Sequence, residues 1–146
     1  MENFRIFRWE TEKCQPGAGL NYKIRLSDYV LNGENGKPEA SIFSFSYLKI
    51  PEDAGRPVVF AYNGGPGSNS GWLHMGLLGP KQVKIPGYPE VDRPARFELT
   101  DNREFLLDTC DLVLIDPTGT GWARLLEEKA GAEYYSSAGD ARAVSR

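Results

Sequence analysis

A glycine-rich segment at residues 63–68, Asn-Gly-Gly-Pro-Gly-Ser, directly follows an apolar run at residues 57–62. The run is rich in β-branched and aromatic side chains, which predicts a buried strand. Because glycine permits positive φ and has no Cβ, the backbone N–H groups of the segment can face outward where the strand ends. In α/β enzymes, a developing oxyanion or a bound carboxylate is received at this position. A tight structural turn is the alternative interpretation.

The composition limits the size of the fold and the classes of partner. A chain of 146 residues is long enough for one domain with one core, and we predict a single domain over residues 1–146. The formal net charge of −3 gives no sign of a nucleic-acid partner. No apolar leader and no apolar run of membrane-spanning length is present, so we predict no membrane association and a cytoplasmic location. The two cysteines lack metal-ligand spacing, which favours free thiols and predicts no metal or other cofactor.

The remaining strand signals predict the fold class. Alternating apolar residues at 20–26 and a second run at 40–50 indicate an antiparallel meander that leads into the strand at 57–62. A second buried strand is predicted at 112–115 and ends in an Asp-Pro turn at residues 116–122. We therefore predict an α/β fold in which an antiparallel meander leads into a mixed or parallel central sheet.

Weaker signals predict the other elements. Residues 70–78 are expected to form a short helix that Gly79-Pro80 ends, and residues 81–98 are predicted to be irregular. Ser137 and Asp140 have the spacing of a capping box, with Ser137 as the N-cap. Only a short helix then fits before Arg146, so we expect the polypeptide to be cut within this element.

The usual residues of nucleophilic catalysis are not arranged for it. No Gly-x-Ser-x-Gly motif is present, and the nearest segment, residues 67–71, has Asn69 at its centre. Ser68 and Ser70 are better interpreted as loop or helix-cap hydroxyls. His74 is predicted to pack within a helix, because the base of such a triad comes last in chain order. Asp116 precedes any such serine, which favours a turn-capping role.

Several segments together resemble a known family. They are Asn-Gly-Gly-Pro-Gly-Ser at 63–68, Leu-Gly-Pro at 78–80, Asn102 with Leu-Leu at 106–107, Asp-Leu-Val-Leu-Ile-Asp-Pro at 111–117 and Gly-Thr-Gly-Trp at 119–122. The chain resembles the amino-terminal portion of the serine carboxypeptidases, an α/β-hydrolase family, and is closest to its bacterial-type members. The resemblance implies that the chain is the amino-terminal half of an α/β-hydrolase fold, truncated before the nucleophile elbow.

The resemblance also implies roles for three residues. Gly65 would donate its backbone N–H to the oxyanion, and Asn63 and Gly64 would hold the carboxylate at the carboxyl terminus of the substrate. An amide side chain beside a backbone N–H is a suitable pair of donors for a carboxylate. The substrate would be a peptide with a free C-terminal carboxylate, and the partner would be the remainder of the hydrolase chain. The Ser, Asp and His of the triad would lie beyond Arg146, so the chain alone is expected to be inactive.

This sequence departs from the family pattern at three places. Ser68 stands where many secreted members have a cysteine, which suits a non-secreted branch. Gly-Leu-Leu-Gly at 76–79 lacks the glutamate that those members carry after the loop. Trp122-Ala123 replaces the usual Phe/Tyr-Ser, a change expected in the wall of the pocket.

Two other functions stay open at this stage. The chain is alternatively a non-catalytic carboxylate- or peptide-binding module that has lost its triad, or part of an esterase or acyltransferase of the same fold. In the α/β-hydrolase order, the strand at 57–62 lies between the strand at 112–115 and the elbow strand. Without the elbow strand, Val58, Val59 and Phe60 would lie on an open sheet edge, which predicts self-association or poor solubility.

Overall fold

A computed structural model describes residues 5–15, 20–64, 67–84 and 97–145 of the chain. Its strands are β1 (Arg5–Gln15), β2 (Leu20–Asn32), β3 (Pro38–Lys49), β4 (Val58–Tyr62), β5 (Lys81–Val83), β6 (Leu99–Asp101) and β7 (Asp111–Asp116). Its α-helices are α1 (Gly71–Leu73), which continues as a π-helical turn at His74–Leu78, α2 (Gly131–Tyr134) and α3 (Ser137–Ser145). Turns of 3₁₀-helix lie at Leu106–Asp108 and Glu128–Ala130.

Five strands form one mixed sheet in the order β1-β2-β3-β7-β4. The pairs β1–β2, β2–β3 and β3–β7 are antiparallel, whereas β4 and β7 are parallel. The predicted α/β class is confirmed at this level: a meander adjoins a parallel pair, and short helices accompany the sheet. The meander contacts β7 rather than β4, so the strand that comes later in sequence lies between them.

The main core covers one face of this sheet. Strand side chains alternate between the two faces of a sheet, so the spacing of Phe43, Phe45 and Tyr47 in the sequence predicts that they share one face. Their ring contacts confirm this prediction. The buried members of the core are Tyr22, Tyr47, Phe105, Leu107, Leu112 and Leu114. Leu73 and Leu78 of the helical segment pack against them, so the helix that follows the glycine segment is anchored to this core.

A smaller cluster covers part of the opposite face. The side chains of this cluster lie on the face of the sheet opposite to Tyr47. The strands contribute Leu31, Ala40 and Ile42, which pack with Tyr134 of α2 and Ala143 of α3. The predicted N-cap of α3 is wrong by one residue, because it is the hydroxyl of Ser136 that accepts from the N–H of Gly139 at 3.0 Å. Ser137 is instead the first residue of the helix.

Strand β4 lies at the edge of the sheet. Its neighbour on one side is β7, as predicted, and no described strand pairs with its other side. Val58, Phe60 and Tyr62 are 46%, 64% and 45% exposed, although none carries a charge. The edge therefore presents unpaired backbone groups flanked by apolar side chains.

Three local predictions need correction. Residues 4–9 alternate too weakly to predict a strand, and the segment from residue 14 is predicted to be a loop. Residues 5–15 nevertheless form β1, because β2 supplies the complete antiparallel partner. Part of the segment predicted to be irregular pairs as a hairpin, in which β5 meets β6, and residues 85–96 lie outside the described residues. The apolar pair Leu106-Leu107 predicts an earlier start of the second buried strand, but it belongs to a 3₁₀ turn before β7. Among the described residues, no helix has the length and apolar character needed to cross a bilayer.

Candidate functional site

The glycine segment and the Asp-Pro turn lie at the same edge of the sheet. Since β4 and β7 are parallel neighbours, their carboxyl ends lie side by side, with Asn63 and Gly64 after β4 and Pro117 after β7. Gly65, the predicted oxyanion donor, and Pro66 lie outside the described residues. The structure therefore places two of the three predicted site residues at this edge and leaves the role of Gly65 as a prediction.

The amide side chain of Asn63 closes the base of the segment between β4 and α1, which we call the glycine loop and of which the structure describes residues 63–64 and 67–70. Its Nδ2 donates to the carbonyl oxygen of Asn69 at 2.7 Å, and the side chain of Asn69 accepts from the N–H of Gly71 at 2.9 Å. An amide nitrogen has two hydrogens, so one N–H of Asn63 serves the loop and the other can serve a ligand. Asn69 is a residue of this site that the sequence prediction missed; its Asn-x-Gly spacing before a helix is the signal of an Asx turn.

Gly64 and Gly67 have open space where a side chain would begin. A Cβ built on either residue meets no heavy atom within 4 Å among the described residues. Gly67 has a φ of +117°, a backbone conformation that favours glycine. Gly64 does not have a positive φ, so its backbone conformation does not require glycine. The absence of a side chain at Gly64 leaves its backbone accessible to an approaching group.

Asp116 connects the two strand ends. Its side chain accepts from the N–H of Ser70 at 2.9 Å through Oδ1 and from the N–H of Trp122 at 3.2 Å through Oδ2. The residue is only 3% exposed. A carboxylate occupied by two backbone donors is a turn and loop cap, so the predicted capping role is confirmed.

Neither serine of the loop is arranged as a nucleophile. Ser70 is buried, and its hydroxyl donates to the carbonyl oxygen of Ile115. Ser68 is exposed on the loop, and no base is in hydrogen-bond contact with it among the described residues. The position of Ser68 agrees with its interpretation as a loop hydroxyl. Ser70 stands at the N-cap of α1, but its hydroxyl makes no cap hydrogen bond and binds β7 instead.

His74, the sole histidine of the sequence, is packed inside the fold as predicted. Its ring lies 4.9 Å from that of Phe45, and its Nε2 is hydrogen-bonded to the hydroxyl of Tyr47. Burial lowers the pKa of His74 below its usual value, and the Asp116 charge only partly opposes this effect. Burial also raises the pKa of the Tyr47 hydroxyl, so both groups are neutral at pH 7.

Asn102 organises the far end of the helical segment. Its Nδ2 donates to the carbonyl oxygens of Leu77 and Gly79, at 2.8 and 2.9 Å, and the residue is 2% exposed. The π-helical turn is closed by the N–H of Gly79 on the carbonyl of His74 at 2.9 Å. A Cβ on Gly79 would lie 2.2 Å from that carbonyl oxygen, so the Gly-Pro helix stop also requires glycine for its close approach.

An apolar cavity of about 600 Å³ adjoins the exit of the glycine loop. Its lining consists of Asn69, Gly71, Trp72, Met75, Gly76, Val83 and Phe97. Trp72 and Phe97 are among the most exposed large side chains of the described residues. The loop edge thus combines hydrogen-bond donors with an adjoining apolar wall, the combination typical of small-ligand sites.

The described side chains offer hydrogen-bond donors but no catalytic dyad. Among them, no group of three or more His, Cys, Asp or Glu residues is arranged to hold a metal ion. Cys110 is a buried free thiol, in agreement with the predicted thiol state of that residue. No protein-family model matches the chain, and no curated protein matches its sequence. The function therefore has to be inferred from the geometry of the site.

Proposed function

We propose that the chain is the oxyanion- and carboxylate-binding half of a serine carboxypeptidase-like hydrolase, which releases C-terminal residues from peptides. The observation that carries the proposal is the glycine loop at the carboxyl end of β4, held against the Asp-Pro turn of β7. Asn63 and Gly64 bind the terminal carboxylate of the peptide, and Gly65 donates to the oxyanion that forms on the scissile carbonyl.

The strand order supports the α/β-hydrolase part of this proposal. The chain passes from β4 to β7 and inserts β7 between the meander and β4, which leaves β4 at the edge. In this fold the next strand pairs with the free side of β4 and carries the nucleophile elbow. The exposed, uncharged side chains of β4 suit such a neighbour.

The polar groups of the loop support carboxylate binding. Asn63 retains one side-chain N–H after its bond to Asn69, and Gly64 has no side chain to hold a ligand away. A carboxylate that accepts both an amide N–H and a backbone N–H forms charge-assisted bonds, which are stronger than bonds between neutral groups. A peptide whose terminus is blocked as an amide loses this charge.

Catalysis requires groups that the described part of the chain does not present. His74 is bonded to Tyr47, and both oxygens of Asp116 accept from the backbone. The proposal therefore assigns nucleophile, base and acid to polypeptide outside these 146 residues, and the chain alone is inactive. Donors without a nucleophile retain at most about 10³–10⁴-fold rate enhancement in well-studied triad hydrolases.

The same engagement of His74 and Asp116 favours a second candidate function. A non-catalytic module that binds the carboxyl terminus of a peptide requires only the donors of the loop. Sequencing the gene past codon 146 distinguishes the two candidates. The hydrolase requires a Gly-x-Ser-x-Gly segment between a strand and a helix, and an open reading frame without one would leave only the binding module.

A titration tests the carboxylate site that both candidates share. The chain is titrated by calorimetry with a short apolar peptide and with the same peptide as its C-terminal amide. We expect the free acid to bind at least about tenfold more tightly, because only it forms charge-assisted bonds. Gly64→Ala should weaken binding of the acid, whereas Ser68→Ala, on the same loop, should leave it unchanged. Equal affinity for acid and amide would refute the carboxylate site.

A further inference from the structure

The glycine loop is attached to the rest of the sheet at one buried point. The carboxylate of Asp116 accepts from the N–H of Ser70, at the end of the loop, and these two residues are 46 positions apart in sequence. Ser70 also donates its hydroxyl to the carbonyl of Ile115, the residue before Asp116 on β7. The N–H and the hydroxyl of Ser70 therefore both bind the end of β7.

The same residue begins the helical segment that follows the loop. The carbonyl of Ser70 accepts from the N–H of His74 at 2.8 Å, and Ser70 is the N-cap of α1. The attachment therefore fixes two things at once: the last residue of the loop and the direction in which α1 leaves it. At the other end of the loop, the bond from Asn63 to Asn69 closes the base.

The Asp-Pro turn is shaped to admit this carboxylate. Gly121 has a φ of +51°, and a Cβ on it would lie 2.0 Å from Oδ2 of Asp116. The N–H of the next residue, Trp122, reaches the same oxygen at 3.2 Å. A glycine is thus required beside the carboxylate by conformation and by space together.

We propose that Asp116 is the positioning residue of the glycine loop: through Ser70 it holds the donors of Asn63 and Gly64 in the geometry that receives the ligand. The inference rests on the proposed function for the identity of that ligand. Asp116 acts through the backbone of Ser70 and does not touch the substrate.

A carboxylate suits this role better than an amide of the same shape. Asp116 uses one oxygen for each of two backbone N–H groups, and an ionised carboxylate can only accept hydrogen bonds. In Asp116→Asn, one of the two positions carries an NH₂ group, which faces an N–H donor. The variant retains the volume of the side chain, loses one of the two attachments and weakens the other, because the remaining amide oxygen carries no charge.

Asp111→Asn is a matched control on the same strand. Asp111 lies at the opposite end of β7, where its Oδ1 accepts from the N–H of Lys49 at 3.1 Å and from Nε of Arg56 at 3.2 Å. Both substitutions remove a largely buried carboxylate that accepts hydrogen bonds. Only Asp116→Asn removes a bond to the glycine loop.

Residue-resolved amide hydrogen exchange of the chain tests the attachment. In Asp116→Asn we expect the amides of Ser70 and Trp122 to exchange about 10- to 100-fold faster, as expected when a hydrogen bond to a charged group is lost. Exchange in β1 to β3 should not change. In Asp111→Asn the amides of Ser70 and Trp122 should keep their wild-type rates. Equal acceleration in the two variants, or none at Ser70, would overturn the inference.

The peptide titration then separates positioning from general stability. Asp116→Asn should reduce the preference for the free acid over the peptide amide. Asp111→Asn should retain that preference, although the free energy of unfolding falls in this variant as well. Retention of the preference in both variants would overturn the positioning role. If the wild-type chain shows no preference while Asp116→Asn accelerates exchange at Ser70, the proposed function fails and the attachment of the loop stands.

Wild-type exchange provides a test that does not depend on whether Asp116→Asn folds. The amides of Ser70 and Trp122 should exchange more slowly than the exposed amides of Gly64 and Gly67 on the same side of the sheet. If all four exchange at the rate of open loops, the carboxylate does not hold the loop, and the inference is wrong.

Discussion

The ion pair between Arg56 and Asp111 should contribute far more to stability than a shorter pair elsewhere in the chain. Nε of Arg56 lies 3.2 Å from Oδ1 of Asp111, and the two side chains are 13% and 14% exposed. Nη2 of Arg56 also donates to the carbonyl of Leu107 at 2.8 Å. The guanidinium therefore joins the start of β4 to β7 and to the 3₁₀ turn before it.

The cost of removing this guanidinium follows from the bonds it makes. Arg56→Met retains most of the aliphatic stem and deletes two hydrogen bonds, each involving a charged donor and worth about 1.5–3 kcal/mol. In this variant Oδ1 of Asp111 loses the bond from Nε of Arg56 and keeps the bond from the N–H of Lys49. Allowing for partial solvation of the remaining groups, we expect the free energy of unfolding to fall by about 2–4 kcal/mol, a large part of the ~5–15 kcal/mol typical of a domain.

The control is the ion pair between Lys81 and Asp101. Its atoms are closer, at 2.6 Å between Nζ and Oδ1, but the side chains are 50% and 44% exposed. Solvent screening and side-chain entropy reduce such pairs to about 1 kcal/mol or less, so Lys81→Met should cost less than Arg56→Met. Urea unfolding at pH 7 measures both variants, with an unchanged m-value required for the comparison. An equal loss in the two variants would refute the reasoning that burial, rather than distance, decides the contribution.

Three further predictions concern other parts of the molecule. Burial lowers the pKa of His74 below 6.5, so below that pH the unfolded chain binds a proton more readily than the folded chain. The melting temperature should therefore fall as the pH drops below about 6.5, and His74→Gln should flatten this dependence. Gly121→Ala should lower the free energy of unfolding by about 1–3 kcal/mol, because Gly121 has a positive φ and an added Cβ would lie 2.0 Å from Oδ2 of Asp116. Gly64→Ala should change it by no more than about 0.5 kcal/mol, because open space surrounds that position. Thermal unfolding measures both variants, and similar losses would contradict this difference in packing. Light scattering should detect association of the chain through the β4 edge, and Phe60→Lys should reduce it; a wild-type chain that stays monomeric at high concentration would contradict this.

Elements with strong local patterns could be predicted from the sequence. The alternation at residues 20–26 and 40–50 and the apolar runs before two glycine-containing turns correspond to β2, β3, β4 and β7. β1 and the β5–β6 hairpin could not be predicted, because their short or weakly alternating sequences become strands only when a partner strand supplies hydrogen bonds.

The candidate site divides in the same way. Asn63 and Gly64 could be singled out because their residue types follow a strand directly, and the capping role of Asp116 follows from its position before a Pro-x-Gly turn. Its partner Ser70 could not be predicted, since that residue comes from a different segment of the chain. Gly65 remains a prediction that rests on the resemblance.

The sequence by itself determined where β2, β3, β4 and β7 and the turns after β4 and β7 occur, because the period of apolar residues and the φ angles open to glycine are local properties of the backbone. Only the tertiary structure decided that β7 lies between β3 and β4, and that the carboxylate of Asp116 meets the N–H of Ser70. Those choices depend on which distant segments bury apolar surface and satisfy backbone donors together, and no spacing along the chain encodes them.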